Sequence, residues 1–113
     1  MFLLQTPHCQ PIREYFELAR AGKAAEASKK YYELQPLRDV WNGIYQSLWE
    51  KKGALHPLPF IKYWMELNGM AAGPVRPPMR NLTEKEKADF RERLEKSGWM
   101  DRLNPAKAKK AAA

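Results

Sequence analysis

Ile12, Tyr15, Phe16 and Ala19 recur at i, i+3, i+4 and i+7, the spacing of one apolar helix face. Pro11 suits the first turn and Gly22 a left-handed C-terminal residue, so the pattern predicts a helix over about 11–21. A second stripe runs through Ala27, Tyr31, Leu34, Leu37, Trp41, Ile44 and Leu48. It continues past Pro36 without losing register, which predicts one long helix from near Lys23, kinked at the proline rather than broken there. Gly43 weakens that helix or admits another backbone. Lys51-Lys52-Gly53 suits its C-terminal end. Residues 54–59 form a turn, and Phe60, Ile61, Trp64 and Leu67 mark the buried face of a third helix closed by Asn68-Gly69.

Gly73-Pro74-Val75-Arg76-Pro77-Pro78 excludes helix, since proline lacks an N–H and clashes with the preceding turn. It predicts a stiff, extended strap. Thr83-Glu84-Lys85-Glu86 is a capping box that opens a last helix, with Ala88, Phe90, Leu94 and the stem of Arg91 facing inward. Ser97-Gly98 ends it, and Trp99 and Met100 fold back over an apolar edge. Phe2-Leu3-Leu4 resembles the end of a buried strand with no partner strand later in the chain. Residues 104–113, including a Lys/Ala run, are expected to be disordered. The predicted fold class is all-α: about four helices with a proline-rich strap.

Length and charge change this picture little. The 113 residues allow one domain at most. Of the formal net charge of +7, residues 102–113 supply +4 and no acid, so the basic balance belongs to the tail. The tail's few lysines, and the lack of a basic helix face interleaved with aromatics, argue against nucleic acid as a partner. Cys9 is the sole cysteine, which excludes an internal disulfide and fits a reducing compartment. No apolar run is long enough for a membrane span, and the short apolar start lacks the features of a signal peptide. The chain is expected to be soluble and cytoplasmic, with no membrane partner.

Candidate chemistry is sparse. His8 and Cys9 are adjacent but lack a second ligand pair at zinc spacing, and Cys9 reads better as a packed or half-exposed thiol. His56 precedes Pro57 at a helix entry, where it caps or packs. Lys62 lies between Ile61 and Tyr63 on an apolar helix. It is either a buried Schiff-base amine or, more in keeping with lysine, a stem lying along the surface with its head in water. The acids of the last helix alternate with Lys and Arg as a solvated, i,i+4-paired face. Arg76, held between Val75 and Pro77, is either a pre-organised carboxylate clamp or an anchor for the strap; the anchor is preferred. The expected structural anchors are therefore Arg76, Pro77 and Pro78, with no catalytic, cofactor-binding or metal-binding residue.

The order of ELARAGKAAEA (17–27), LQPL (34–37), HPLPFIKYWMELNGM (56–70) and GPVRPPMRNLTEKEKADFRERLEKSGW (73–99) resembles the C-terminal part of the dihydrodipicolinate synthase / N-acetylneuraminate lyase family. The resemblance covers residues 5–102. It implies a (β/α)8 barrel enzyme with a C-terminal helical extension, often tetrameric, acting on pyruvate or other 2-oxo acids through a lysine Schiff base. On this pattern residues 1–22 are a remnant of the last barrel strand and helix, and 23–103 are the extension. The family's Schiff-base lysine, catalytic tyrosine and paired threonines have no counterpart here, and Lys62 does not match the catalytic lysine. Thr6 and His8 fall in the loop that approaches the barrel mouth in the family, without a catalytic assignment. The chain then reads as a C-terminal segment with a structural or oligomerisation role, inactive alone and without cofactors. Its partners would be copies of itself or the missing barrel. The alternatives are a stand-alone helical binding module with a basic tail for nucleic acid or protein, and a small helical interaction protein that shares the strap.

Overall fold

A computed structural model describes residues 5–50 and 56–104. The expected strand at Phe2-Leu3-Leu4, the helix end at Lys51-Lys52-Gly53 and the Lys/Ala run from residue 105 lie outside them. The described chain is all-α, as the apolar spacing predicts. Its helices are α1 (Pro11–Arg20), α2 (Ala24–Glu33), α3 (Gln35–Glu50), α4 (Leu58–Leu67), α5 (Glu84–Lys96) and α6 (Met100–Leu103). The pairing of Thr6 with Cys9 is an isolated bridge.

Local chemistry accounts for the ends. Past α1, Gly22 takes φ +77°, its N–H donates to the Ala19 carbonyl, and the Lys23 N–H donates to that of Leu18. Those two bonds satisfy carbonyls that a helix end leaves unpaired, and the left-handed residue is one that glycine adopts without a Cβ clash. At α5 the capping box forms as read: Thr83 Oγ1 accepts from the Glu86 N–H at 3.2 Å, and Glu86 Oε2 accepts from the Thr83 N–H at 2.8 Å.

The expected single kinked helix through Pro36 is instead two. Leu34 interrupts it for one residue, and α3 restarts with Pro36 in its first turn. There the missing N–H costs least, because first-turn donors have no partner within the helix. The stripe keeps its register because Leu34 stays in the right-handed helical region. Its members Leu34, Leu37, Trp41 and Ile44 are buried and Leu48 is half-buried, whereas Tyr31 is exposed.

The core lies among α3, α4 and α5. The Trp41 ring meets Trp64 and Phe90 edge-on, with centroids 6.1 and 5.3 Å away, and Phe60 meets Phe90 at 5.5 Å. Such edge-to-face contacts add to the burial of large rings. On α5 the inward face is Phe90 and Leu94 alone. Ala88 and Arg91 are exposed, contrary to the expected face, and Arg91 pairs with Glu95 at 2.9 Å.

Trp99 folds back as expected and then starts the short α6. Its indole N–H donates to the Glu33 carbonyl at 3.0 Å, and Leu103 is fully buried. Thr6, itself buried, donates its hydroxyl to the Leu103 carbonyl. The C-terminal turn thus holds both the N-terminal segment and the α2–α3 junction.

Candidate functional site

A groove of about 310 Å³ lies between α4 and the strap, bounded by Lys62, Tyr63, Glu66, Pro74, Leu82 and Lys87. Its floor and rim come from three elements. Helix α4 contributes Lys62, Tyr63 and, one turn further on, Glu66. The strap contributes Pro74 and the buried Val75. The start of α5 contributes Lys87, which pairs with Glu84 at 2.9 Å. The Lys87 ammonium lies 5.9 Å from the Tyr63 ring centroid, within cation–π range.

Lys62 Nζ donates to the carbonyls of Ala72 and Pro74 at 3.1 and 3.0 Å. The amine thus serves as a donor, the opposite of what a Schiff-base nucleophile needs, which is a free lone pair. Opposite it, Asn81 Oδ1 accepts the Val75 N–H at 2.9 Å. Lys62, Asn81 and the buried side chain of Val75 hold the strap against the body.

The expected anchor residues sit further out. Arg76, Pro77 and Pro78 are exposed, and the Arg76 guanidinium has no hydrogen bond or ion pair among the described residues. The segment is not extended throughout, as its proline content predicts. The Met79 N–H donates to the Arg76 carbonyl at 3.1 Å, and the Pro77–Pro78 bond is cis, which makes residues 76–79 a reverse turn.

Arg80 supplies the cation that locks the strap to α5. Its Nη1 and Nη2 reach the two Glu86 oxygens at 2.9 and 2.8 Å, a bidentate fork. The fork and the Thr83 N–H together hold the Glu86 carboxyl down at about 2. The capping box is visible in sequence because its partners are three residues apart. The clamps by Lys62 and Asn81 bridge 10, 12 and 6 residues across the fold, and no local spacing signals them.

Other candidates are separate from the groove. His56 Nδ1 accepts the Leu58 N–H at 3.2 Å, at the entry of α4. Cys9 is a free, half-buried thiol whose pKa is raised, first by burial and then by Glu14. A raised pKa keeps it protonated and a weak nucleophile. His8 and Thr6 share a local turn in which the His8 N–H donates to Thr6 Oγ1 at 3.3 Å. Among the described residues no group of three or more His, Cys, Asp or Glu has the placement to hold a metal ion. No helix there is long and apolar enough to cross a membrane.

No family model matches the chain, and no solved structure matches it. Over 87 residues, 77% of the chain, it is 33% identical to the 4-hydroxy-tetrahydrodipicolinate synthase of Methanopyrus kandleri. The match covers 25% of that protein, so the chain spans about a quarter of the length of the curated relative it resembles.

Proposed function

We propose that the chain is the C-terminal helical part of an enzyme related to 4-hydroxy-tetrahydrodipicolinate synthase, and that its role is to pack on the catalytic part rather than to supply reacting groups. The observation that carries this is the similarity itself: it runs through most of this chain and only a quarter of the relative. Two features agree with it. Lys62, the lysine that the sequence offers for covalent chemistry, is committed to the strap carbonyls. The apolar stripe of α1 ends in open solvent, with Phe16 62% exposed, which is the surface expected of a helix that covers another part of the same enzyme.

A split-protein experiment tests this. The Methanopyrus synthase lacking the quarter that corresponds to this chain is expressed with the full 113-residue chain supplied separately. The two are expected to co-elute, and Phe16→Asp is expected to weaken that association. Failure to associate would overturn the packing role. Borohydride reduction in the presence of pyruvate then reports on chemistry: label on the larger part alone is expected, and a stable adduct on Lys62 would sink the structural reading.

A further inference from the structure

The chain has two Asn-Gly pairs, Asn42-Gly43 and Asn68-Gly69. In such a pair the asparagine carboxamide is within reach of the next peptide nitrogen, and glycine has no side chain to hinder ring closure. The first pair lies inside the 16-residue α3, where helical bonds occupy the backbone on both sides. The second lies at the end of α4, where the chain reverses so that Lys62 can reach the carbonyls of Ala72 and Pro74. The Gly69 N–H donates to the Glu66 carbonyl at 3.0 Å and the Met70 N–H to that of Met65 at 2.9 Å, with Gly69 at φ +82°. Asn68 Nδ2 donates to the Trp64 carbonyl at 2.8 Å. The attacking nitrogen and the carboxamide are both tied back to the last turn of α4, so opening of that turn frees both together. Helix ends open at a lower free-energy cost than packed interiors.

We propose that Asn68 is a modification site, where the carboxamide cyclises on the Gly69 nitrogen when the end of α4 opens, and that the product frees the strap. The peptide nitrogen gives its proton to hydroxide and attacks Cγ. A C–N bond forms, and Nδ2 leaves as ammonia. Water then opens the five-membered imide at either carbonyl, to aspartate or to isoaspartate. The sum is hydrolysis, with water consumed, ammonia released and no change of oxidation state. Either product works against the reversal. Aspartate loses the donor to the Trp64 carbonyl and puts negative charge at the negative end of the α4 dipole. Isoaspartate adds a carbon to the backbone where the chain turns, which shifts the strap relative to Lys62. Residues 73–75, which form one wall of the groove, are then held less firmly. The inference rests on this turn alone and is independent of the family reading.

The test incubates the full chain in mildly alkaline buffer, with and without concentrated urea, and maps its peptides by mass spectrometry over time. In urea both asparagines are expected to convert at similar rates. Without urea Asn68 is expected to convert about tenfold or more slowly than in urea, and Asn42 more slowly still, because a helix end opens more readily than the middle of a packed helix. Asn68→Gln, which needs a larger ring, is expected to abolish conversion at that position. Native conversion at Asn68 no faster than at Asn42 overturns the proposal, and so does native conversion as fast as in urea. Asn68→Asp reproduces one product and tests the consequence. It is expected to speed amide exchange at Val75, whose N–H is held by Asn81, by about threefold or more, while Phe90 in the core keeps its rate. Unchanged exchange at Val75 overturns release of the strap. Equal acceleration at Phe90 overturns it too, since the loosening is then global.

Discussion

The α1–α2 hairpin and the α3–α5 body are built from the same kind of amphipathic pattern and end in opposite states. In the body, Phe60, Trp64 and Phe90 are almost wholly enclosed. In the hairpin, Phe16 and Tyr32 are 62% and 69% exposed, and Pro11 and Ala27 are the buried residues of its two helices. Hydrophobic spacing sets which side of a helix is apolar. It does not say whether this chain has anything to place against that side. The body closes on itself because three helices and the strap converge. The hairpin is two helices paired with each other, and two helices cannot enclose an apolar face on both sides.

Two phenylalanines, one from each region, give the sharpest contrast. Phe90→Ala empties the contact point of Trp41, Phe60 and Tyr63 and is expected to cost about 3–5 kcal/mol in urea unfolding. An effect below about 1 kcal/mol would mean that the body is not the stabilising unit.

Trp99 joins the two regions, so Trp99→Phe tests the seam. It removes the donor to the Glu33 carbonyl and is expected to cost about 1–2 kcal/mol. Amide exchange should speed up at the end of α2 more than in α4.

Glu86 tests the body alone. Its carboxyl is held down at about 2, first by the Arg80 fork, so its contribution is complete above the ordinary carboxylate pKa and is lost as pH falls from about 4.5 toward 2. Arg80 is half exposed and water screens the pair, so about 1–2 kcal/mol is expected. Glu86→Gln should remove that loss from the acid side of the stability–pH curve and leave the hairpin's exchange rates unchanged.

Gly43 lies inside α3 with ordinary helical φ, and a Cβ there would sit 3.6 Å from the Arg93 guanidinium, an ordinary contact. Gly43→Ala is therefore expected to stabilise the body by about 0.5–1 kcal/mol, read as a higher urea midpoint. Phe16→Ala, the counterpart of the first substitution, should change stability of the isolated chain by less than about 0.5 kcal/mol. A cost near that of Phe90→Ala would show that the hairpin face is buried in solution.

The sequence by itself determined where most of the helices lie, the glycine end of α1 and the capping box of α5, because these depend on residues three or four apart, while it misplaced Ala88 and Arg91 on the inward side of α5. Pro36 was legible as a disturbance but not as a helix start, since the choice between a kink and a break rests on how Leu34 is packed. Likewise Lys62 showed its apolar neighbours, while its use as the strap's clamp required Ala72 and Pro74 to be brought beneath it. The tertiary structure decided which faces are filled. It enclosed Phe90 and left Phe16, Tyr32 and Trp49 in solvent, because burial depends on which distant segments converge. Spacing along the chain carries no information about that.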